Sequence, residues 1–174
     1  MAGHSKDEVD EAFRHYWRTG AVGEDWEAWA DLFTDDAEYV EHVLGSMRGR
    51  AEIKSWITQI MAAYPELYTF YEWHVIDGDR VLFYMQNRRD NPAPGGPPID
   101  FPGISILHYA GDGKWSFEED FWAFPAAQKA QAAYIEARAK HDPDHPGRMT
   151  RLNWPDSPDW ARGPDHGPNA RNPR

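Results

Sequence analysis

The residues best suited to moving a proton are two carboxylates two positions apart, Glu118 and Asp120, in the segment KWSFEEDFWA. Alternate side chains of a strand share a face, so Glu118, Asp120 and Trp122 point one way and Phe117, Glu119 and Phe121 the other. If the first face is enclosed, desolvation beside an indole raises a carboxyl pKa to where it acts as acid or base near neutral pH. The alternative is a solvated face, as acidic residues on strands commonly have. A second segment, AEYVEHVL, sets Tyr39 and Glu41 on one face and Val40 and His42 on the other, so one of Glu41 and His42 is a candidate base. Imidazole titrates near neutrality unaided, which favours His42, although a lone histidine also serves as a structural donor. Asn87 shares a strand face with Met85 and Arg89; its amide either orients substrate or water, or sits exposed beside a loop. Trp56, Tyr39, Trp122 and Met85 are candidate lining for a pocket around these groups, and aromatic side chains equally fill cores and interfaces.

Other groupings lack the geometry their chemistry needs. Gly95-Gly96 lies between prolines with no helix following, so it is no phosphate cradle. Pro143 separates His141 from His145, and two imidazoles without further ligands make a weak metal site. No serine occupies a G-x-S-x-G context. Neither a metal nor a cofactor is expected.

The elements that must position these residues follow from periodicity. Ser5 with Glu8 is a capping-box pattern, and Val9, Phe13, Tyr16, Trp17 and Gly20 continue at helical spacing. A second helix starts at Glu24-Asp25, repeats Trp26, Trp29, Ala30 and Phe33 on one face, and ends at Thr34-Asp35-Asp36. Residues 37–44 read as a strand reaching Gly45. Residues 51–64 place Ile53, Trp56, Ile57, Ile60, Met61 and Tyr64 on one helical stripe ending at Pro65. Leu67 to Ile76 and Arg80 to Arg89 flank Asp77-Gly78-Asp79 as a hairpin. Ile104 to Tyr109 and Trp115 to Ala123 form a second around Ala110-Gly111-Asp112-Gly113. The stretch NPAPGGPP at 91–98 is a loop placed to act as a lid. Pro125 opens an alanine-rich helix to about Lys140, read as a solvated helix that packs rather than recognises. The chain thus divides into a domain over 1–140 and an extended Pro/Gly-rich tail over 141–174, which Trp154 and Trp160 could anchor.

Composition excludes whole classes of partner. Eighteen Lys and Arg against twenty-nine Asp and Glu leave a formal charge of −11, and no basic run exceeds Arg88-Arg89, so nucleic acid and membrane are not expected partners. The chain has no cysteine, hence no disulfide, thiol nucleophile or thiolate metal site. MAGHSKDEVDE at the start lacks an apolar export core and no segment approaches eighteen apolar residues, so a soluble cytoplasmic protein is expected.

The run WEAWADLFTDDAEYVEHVLGSMRGRAEIKSWI, from Trp26 to Ile57, gives helix, DDA, charged strand, RGR, helix. It resembles the first half of the cone-shaped α+β fold shared by nuclear transport factor 2, ketosteroid isomerase, SnoaL-like polyketide cyclases, scytalone dehydratase and limonene epoxide hydrolase. GDGKWSFEEDFW is similar to the final hairpin of the isomerases and epoxide hydrolases, and the resemblance covers residues 6 to 124. It implies a curved mixed sheet wrapped around N-terminal helices. It places Asp120 where the hydrolases carry a catalytic aspartate and where SnoaL-type cyclases carry an acid/base aspartate. Glu118 stands where those relatives are apolar. Tyr16 falls where the isomerase tyrosine donates to the developing oxyanion, a contact worth roughly 3 kcal/mol, and helix-face packing is its plain alternative. DDAEYVEHVLGS resembles the isomerase segment holding its general base but is one residue longer: counting from Asp35 reaches Glu41, and from Ser46 reaches His42. Ser105 aligns with the isomerase's second oxyanion donor, and Met85 and Asn87 replace the Arg and Asp of the hydrolases' middle strand. Because relatives pair through the outer sheet face, here Phe117, Phe121, Tyr84 and Ile106, the resemblance implies a homodimer. The function implied is a cofactor-independent isomerase, cyclase or lyase (dehydratase) acting on a small apolar carbonyl, polyketide- or steroid-like molecule. Epoxide or ester hydrolysis, and a non-catalytic small-molecule-binding or assembly module, are the alternatives.

Overall fold

The computed structural model describes residues 3–144, so Trp154 and Trp160 lie outside the described residues. Helix α1, Lys6–Trp17, begins at Ser5, whose Oγ accepts the Glu8 N–H at 3.2 Å and satisfies a donor the helix itself leaves unpaired. Its Val9, Phe13, Tyr16 and Trp17 stripe is buried, as the spacing predicts. A π-helical turn, Arg18–Val22, follows, closed by Gly23 N–H to the Arg18 carbonyl at 2.8 Å. Helix α2 is only Trp26–Ala30, its first turn capped by the Asp25 carboxylate on Ala28 N–H at 3.0 Å.

Six strands follow: β1 Phe33–Glu41, β2 Gly45–Arg48, β3 Tyr68–Asp77, β4 Arg80–Arg89, β5 Ile99–Gly111 and β6 Lys114–Trp122. Helix α3, Arg50–Ala63, lies between β2 and β3, and α4, Phe124–His141, ends the described chain. The sheet runs β2-β1-β6-β5-β4-β3, antiparallel except for the parallel pair β1–β6, and is curved and unclosed. Register shifts between Tyr71 and Trp73 and between His108 and Tyr109 locally increase twist and bend the strands. Phe13, Trp17, Trp29, Phe33, Leu107 and Trp115 fill the space between the helices and the concave face. This is the mixed α+β cone that the sequence implies.

Three boundaries differ from expectation. Thr34-Asp35-Asp36 does not stop a helix; these residues already belong to β1, because Trp115 N–H takes the Leu32 carbonyl at 2.8 Å and pulls the chain into the sheet. The short strand β2 was not expected. Its turn, at His42, Val43 and Leu44, contains no turn-forming residue and is closed by a side chain: Glu41 Oε2 accepts Val43 N–H at 3.1 Å and Leu44 N–H at 2.5 Å. β5 begins at Ile99, five residues before Ile104, and tolerates Pro102 because Gly103–Trp122 is the last pair with β6. Beyond it β5 has a partner on one side only, where a missing N–H costs no ladder bond.

On the outer sheet face Phe121 and Ile104 are exposed, as are Trp73 and Val75, whereas Tyr84, Ile106 and Phe117 are half-buried. No helix among the described residues is long and apolar enough to cross a membrane.

Trp29 is the point where α1, α2 and β1 meet, with ring centroids 5.3 Å from Tyr16, 4.9 Å from Phe33 and 6.3 Å from Tyr39. Gly20 lies directly against it: a Cβ there would stand 2.8 Å from Trp29 Nε1 and closer still to Cδ1. A ring held on several sides cannot retreat. Overpacking costs about 1–3 kcal/mol, more than the ~1 kcal/mol that alanine gains over glycine in a helix. Gly20→Ala is therefore expected to lower the unfolding free energy by up to about 2 kcal/mol, read as a lower denaturant midpoint at unchanged slope; an equal or higher midpoint would contradict this packing.

Candidate active site

Three neighbouring strands bring the polar groups together. The parallel register of β1 with β6 sets Tyr39 opposite Glu118 and Glu41 opposite Asp120, and β5 sets Ser105 opposite Asp120. All five face the hollow beneath α1 and α3, a cavity of about 650 Å³ walled by Trp17, Trp26, Trp29, Trp56, Phe83 and other apolar side chains. Tyr16, Met85, Asn87 and Trp122 also line it.

The hydrogen bonds sort these groups by role. Tyr16 donates its hydroxyl to Glu118 Oε1 at 2.7 Å, Tyr39 donates to Asp120 Oδ2 at 2.5 Å, and Ser105 Oγ donates to Asp120 Oδ1. Glu118 is 2% exposed, and its Oε2 has no hydrogen-bond partner. Burial pushes the Glu118 carboxyl well above the usual carboxylate range, and the charge of Asp120 pushes it further. Burial also raises Asp120, but the Ser105 and Tyr39 hydroxyls stabilise its anion and hold it to about 6. Burial, then the neighbouring carboxylates, drives both tyrosines upward, so they stay protonated and remain donors. Both carboxyls are thus pushed toward their protonated forms, Glu118 with fewer donors to stabilise its anion than Asp120, which sets an acid beside a base.

The other expected site residues behave differently from one another. Glu41 faces the cavity, yet its Oε1 accepts the Trp122 indole N–H and its Oε2 closes the β1–β2 turn, so both oxygens are committed to structure. His42, favoured over Glu41 as a base, is corrected: strand parity turns it to the outer face, where its side chain is 51% exposed and meets Glu119 Oε1 at 2.8 Å. Tyr16 does not reach for a ligand directly; its hydroxyl is spent on Glu118. Trp56 packs on Tyr39 at 4.8 Å between centroids. Trp122 packs between Phe101 and Phe124 in tilted contacts, each at 5.7 Å between centroids.

Two further readings are overturned. The 91–98 loop contributes nothing to the cavity wall, and α4 closes that end instead, through Phe124, Ala127, Gln128, Gln131, Ala132 and Ile135. Its alanine-rich composition hid this role, because small side chains let a helix approach a cavity while leaving almost no amphipathic signal. Arg89 also lines the cavity and is buried; its parity with Met85 and Asn87 was the available clue. Among the described residues no three His, Asp or Glu side chains converge as metal ligands would.

Asp120 makes the site costly to the fold. Its carboxyl binds a proton more tightly folded (about 6) than unfolded (3.8), so its contribution to stability is full below about pH 4 and is lost as pH rises through 6. The loss is up to about 3 kcal/mol at neutral pH. Asp120→Asn is expected to raise the thermal midpoint at pH 7.5 by about 5 °C, with the difference vanishing by pH 4. A variant no more stable than the parent at pH 7.5 would contradict the desolvated carboxylate.

The model of the SnoaL-like domain matches residues 9–117. No curated protein matches the chain. Among solved structures, the M. tuberculosis LEH-like epoxide hydrolase is similar over 76% of this chain and 96% of its own, at 15% identity and TM-score 0.61. A Jannaschia protein classed as a SnoaL-like polyketide cyclase covers 75% and 96%, at 18% identity and TM-score 0.58. A Catenulispora acidiphila protein with a ketosteroid isomerase-like fold, solved with trimethylamine, covers 74% and 95%, at 21% identity and TM-score 0.57.

Proposed function

The chain belongs to the SnoaL-like domain family, and on that premise we propose that it is a cofactor-independent acid–base enzyme, an isomerase, cyclase or lyase of a carbonyl compound of polyketide or steroid type. The observation that carries this reading is the Glu118–Asp120 pair, a buried and a half-buried carboxyl side by side, with different hydroxyl partners, inside an aromatic cavity. Such a pair supplies both halves of a proton transfer near neutral pH.

Asp120, ionised and held by Ser105 and Tyr39, takes the proton from carbon next to the carbonyl. Glu118, which lines the cavity, turns the oxygen that has no partner toward the ligand and donates its proton to the carbonyl oxygen as it gains charge. Tyr16 holds the other Glu118 oxygen and so fixes the direction of that donation. The donor is worth most in the transition state, where the oxygen is an enolate, and the dry wall strengthens it. Returning the proton to a different atom gives isomerisation, attack of the enolate on a second carbonyl gives cyclisation, and loss of a leaving group gives a lyase.

Epoxide hydrolysis is the second reading, favoured by Asn87 on the cavity wall with the Asp120 carboxylate, where an amide and a carboxylate could activate water. It differs in requiring solvent oxygen in the product, which labelled water detects.

Deuterium uptake next to the carbonyl of a panel of cyclic ketones and polyketide mimics in D2O measures the proposed proton transfer without knowledge of the natural substrate. The rate is expected to rise with pH, reach half its maximum near pH 6 as Asp120 ionises, and level off. Asp120→Asn should lower it at least a hundredfold. An Asp120→Asn rate within threefold of the parent would remove Asp120 from the mechanism.

A further inference from the structure

The mechanism leaves one buried charge unused. Arg89 ends β4 and is 3% exposed, and it is the one cation on the cavity wall among the described residues, where the carboxyl groups are Glu41, Glu118 and Asp120. Its pairing is incomplete. Nε meets Glu66 Oε1 at 3.4 Å, the guanidinium carbon lies 5.7 Å from the Tyr134 ring centre, and Nη1 has no hydrogen-bond partner.

The neighbouring residue shows how this strand builds a structural ion pair. Arg88, on the opposite face, grips Asp100 with Nε at 2.8 Å and Nη2 at 2.6 Å, the two-pronged geometry that matches a carboxylate to a guanidinium. Arg89 has a carboxylate within reach and does not form that grip. A buried guanidinium with an idle N–H is expensive to keep, since the charge has left water and the donor is unsatisfied. The cost is offset when a second anion completes the fork.

The place of Arg89 in the sheet defines the ligand. On the concave face of β4 it stands six residues beyond Phe83, which pairs with Ser105, which pairs with Asp120. At about 3.3 Å per residue this separates the cation from the acid–base pair by about 20 Å measured along the strand. Between them the wall carries Met85, Asn87 and Phe101, and Gln131 of α4 lies one turn from Tyr134.

We propose that Arg89 docks an anionic end of the ligand, so that the substrate is an elongated, ring-bearing carbonyl compound with a carboxylate or comparable oxyanion at the end remote from Asp120. Glu66 then acts as the occupant that an incoming anion must share the guanidinium with, and it weakens binding while keeping the empty site neutral. Asn87 and Gln131 supply neutral donors to the same end. This deepens the acid–base reading by naming the chemistry of its substrate, and rests on that reading only for the statement that the bound molecule is turned over.

The test uses two fluorescent probes with one ring skeleton, 8-anilino-1-naphthalenesulfonate and the uncharged N-phenyl-1-naphthylamine, titrated into the full chain. The parent is expected to bind the sulfonate at least tenfold more tightly than the neutral probe. Arg89→Met combined with Glu66→Gln removes both charges and leaves no carboxylate stranded; in it the ratio should fall to within twofold of one, with affinity for the neutral probe unchanged. Glu66→Gln alone should tighten the sulfonate at least threefold and leave the neutral probe unaffected. A parent without preference, or a preference that survives in the double variant, overturns the proposal. Asp120→Asn should keep the full preference while losing deuterium uptake; a parent that prefers the sulfonate but exchanges no deuterium overturns the acid–base reading and spares the anion site, and a parent that exchanges deuterium without preferring the sulfonate does the opposite.

Discussion

A buried carboxyl beside a half-buried one makes it costly for both to be charged, and the arrangement of this site answers that constraint. The site answers it by pushing Glu118 toward its protonated form and surrounding Asp120 with hydroxyl donors from Tyr39 and Ser105. The asymmetry is chemical: two donors stabilise the Asp120 anion, whereas Glu118 receives one, from Tyr16, and turns its other oxygen to no partner. An acid and a base of different strength thus arise from two similar side chains.

Holding such a pair dry requires a rigid wall, and the aromatic content of the chain provides it. Trp29 links α2 to Tyr16 on α1 and Tyr39 on β1, so the two phenols that hold the carboxyls are themselves held by one indole. Glu41 serves the same end from the other direction, binding the Trp122 ring and closing the β1–β2 turn, which keeps the end of β1 in register with β6. Rotamers fixed in this way cost little further entropy when a ligand binds, and the energetic burden falls on folding stability.

Much of this was legible in the amino-acid order, and its limits have physical causes. The 118/120/122 alternation and the helical stripe of α1 survive folding because periods of two and of 3.6 residues are local properties. The partner of each carboxyl was not legible, because it depends on which strands pair: only the parallel register of β1 with β6 decides that Glu41 and Tyr39 turn inward and His42 outward. Resemblance pointed to Tyr16 as a donor to ligand, and Glu118 at a position apolar in relatives redirected that hydroxyl to itself. The β2 strand was invisible because its turn is closed by a glutamate rather than by glycine or asparagine. Helix α4 was read as packing for want of amphipathic signal, and Arg89 gained its meaning only once α4 and Glu66 enclosed it.

The division of protons between Glu118 and Asp120 is the claim on which the remainder rests, and carbon-detected nuclear magnetic resonance of the two carboxyls across a pH titration reads it directly. The account predicts that Asp120 titrates near pH 6 while Glu118 is still protonated at that pH. Two carboxyls that both ionise in the ordinary range below pH 5 would contradict it, and with it the assignment of base and acid.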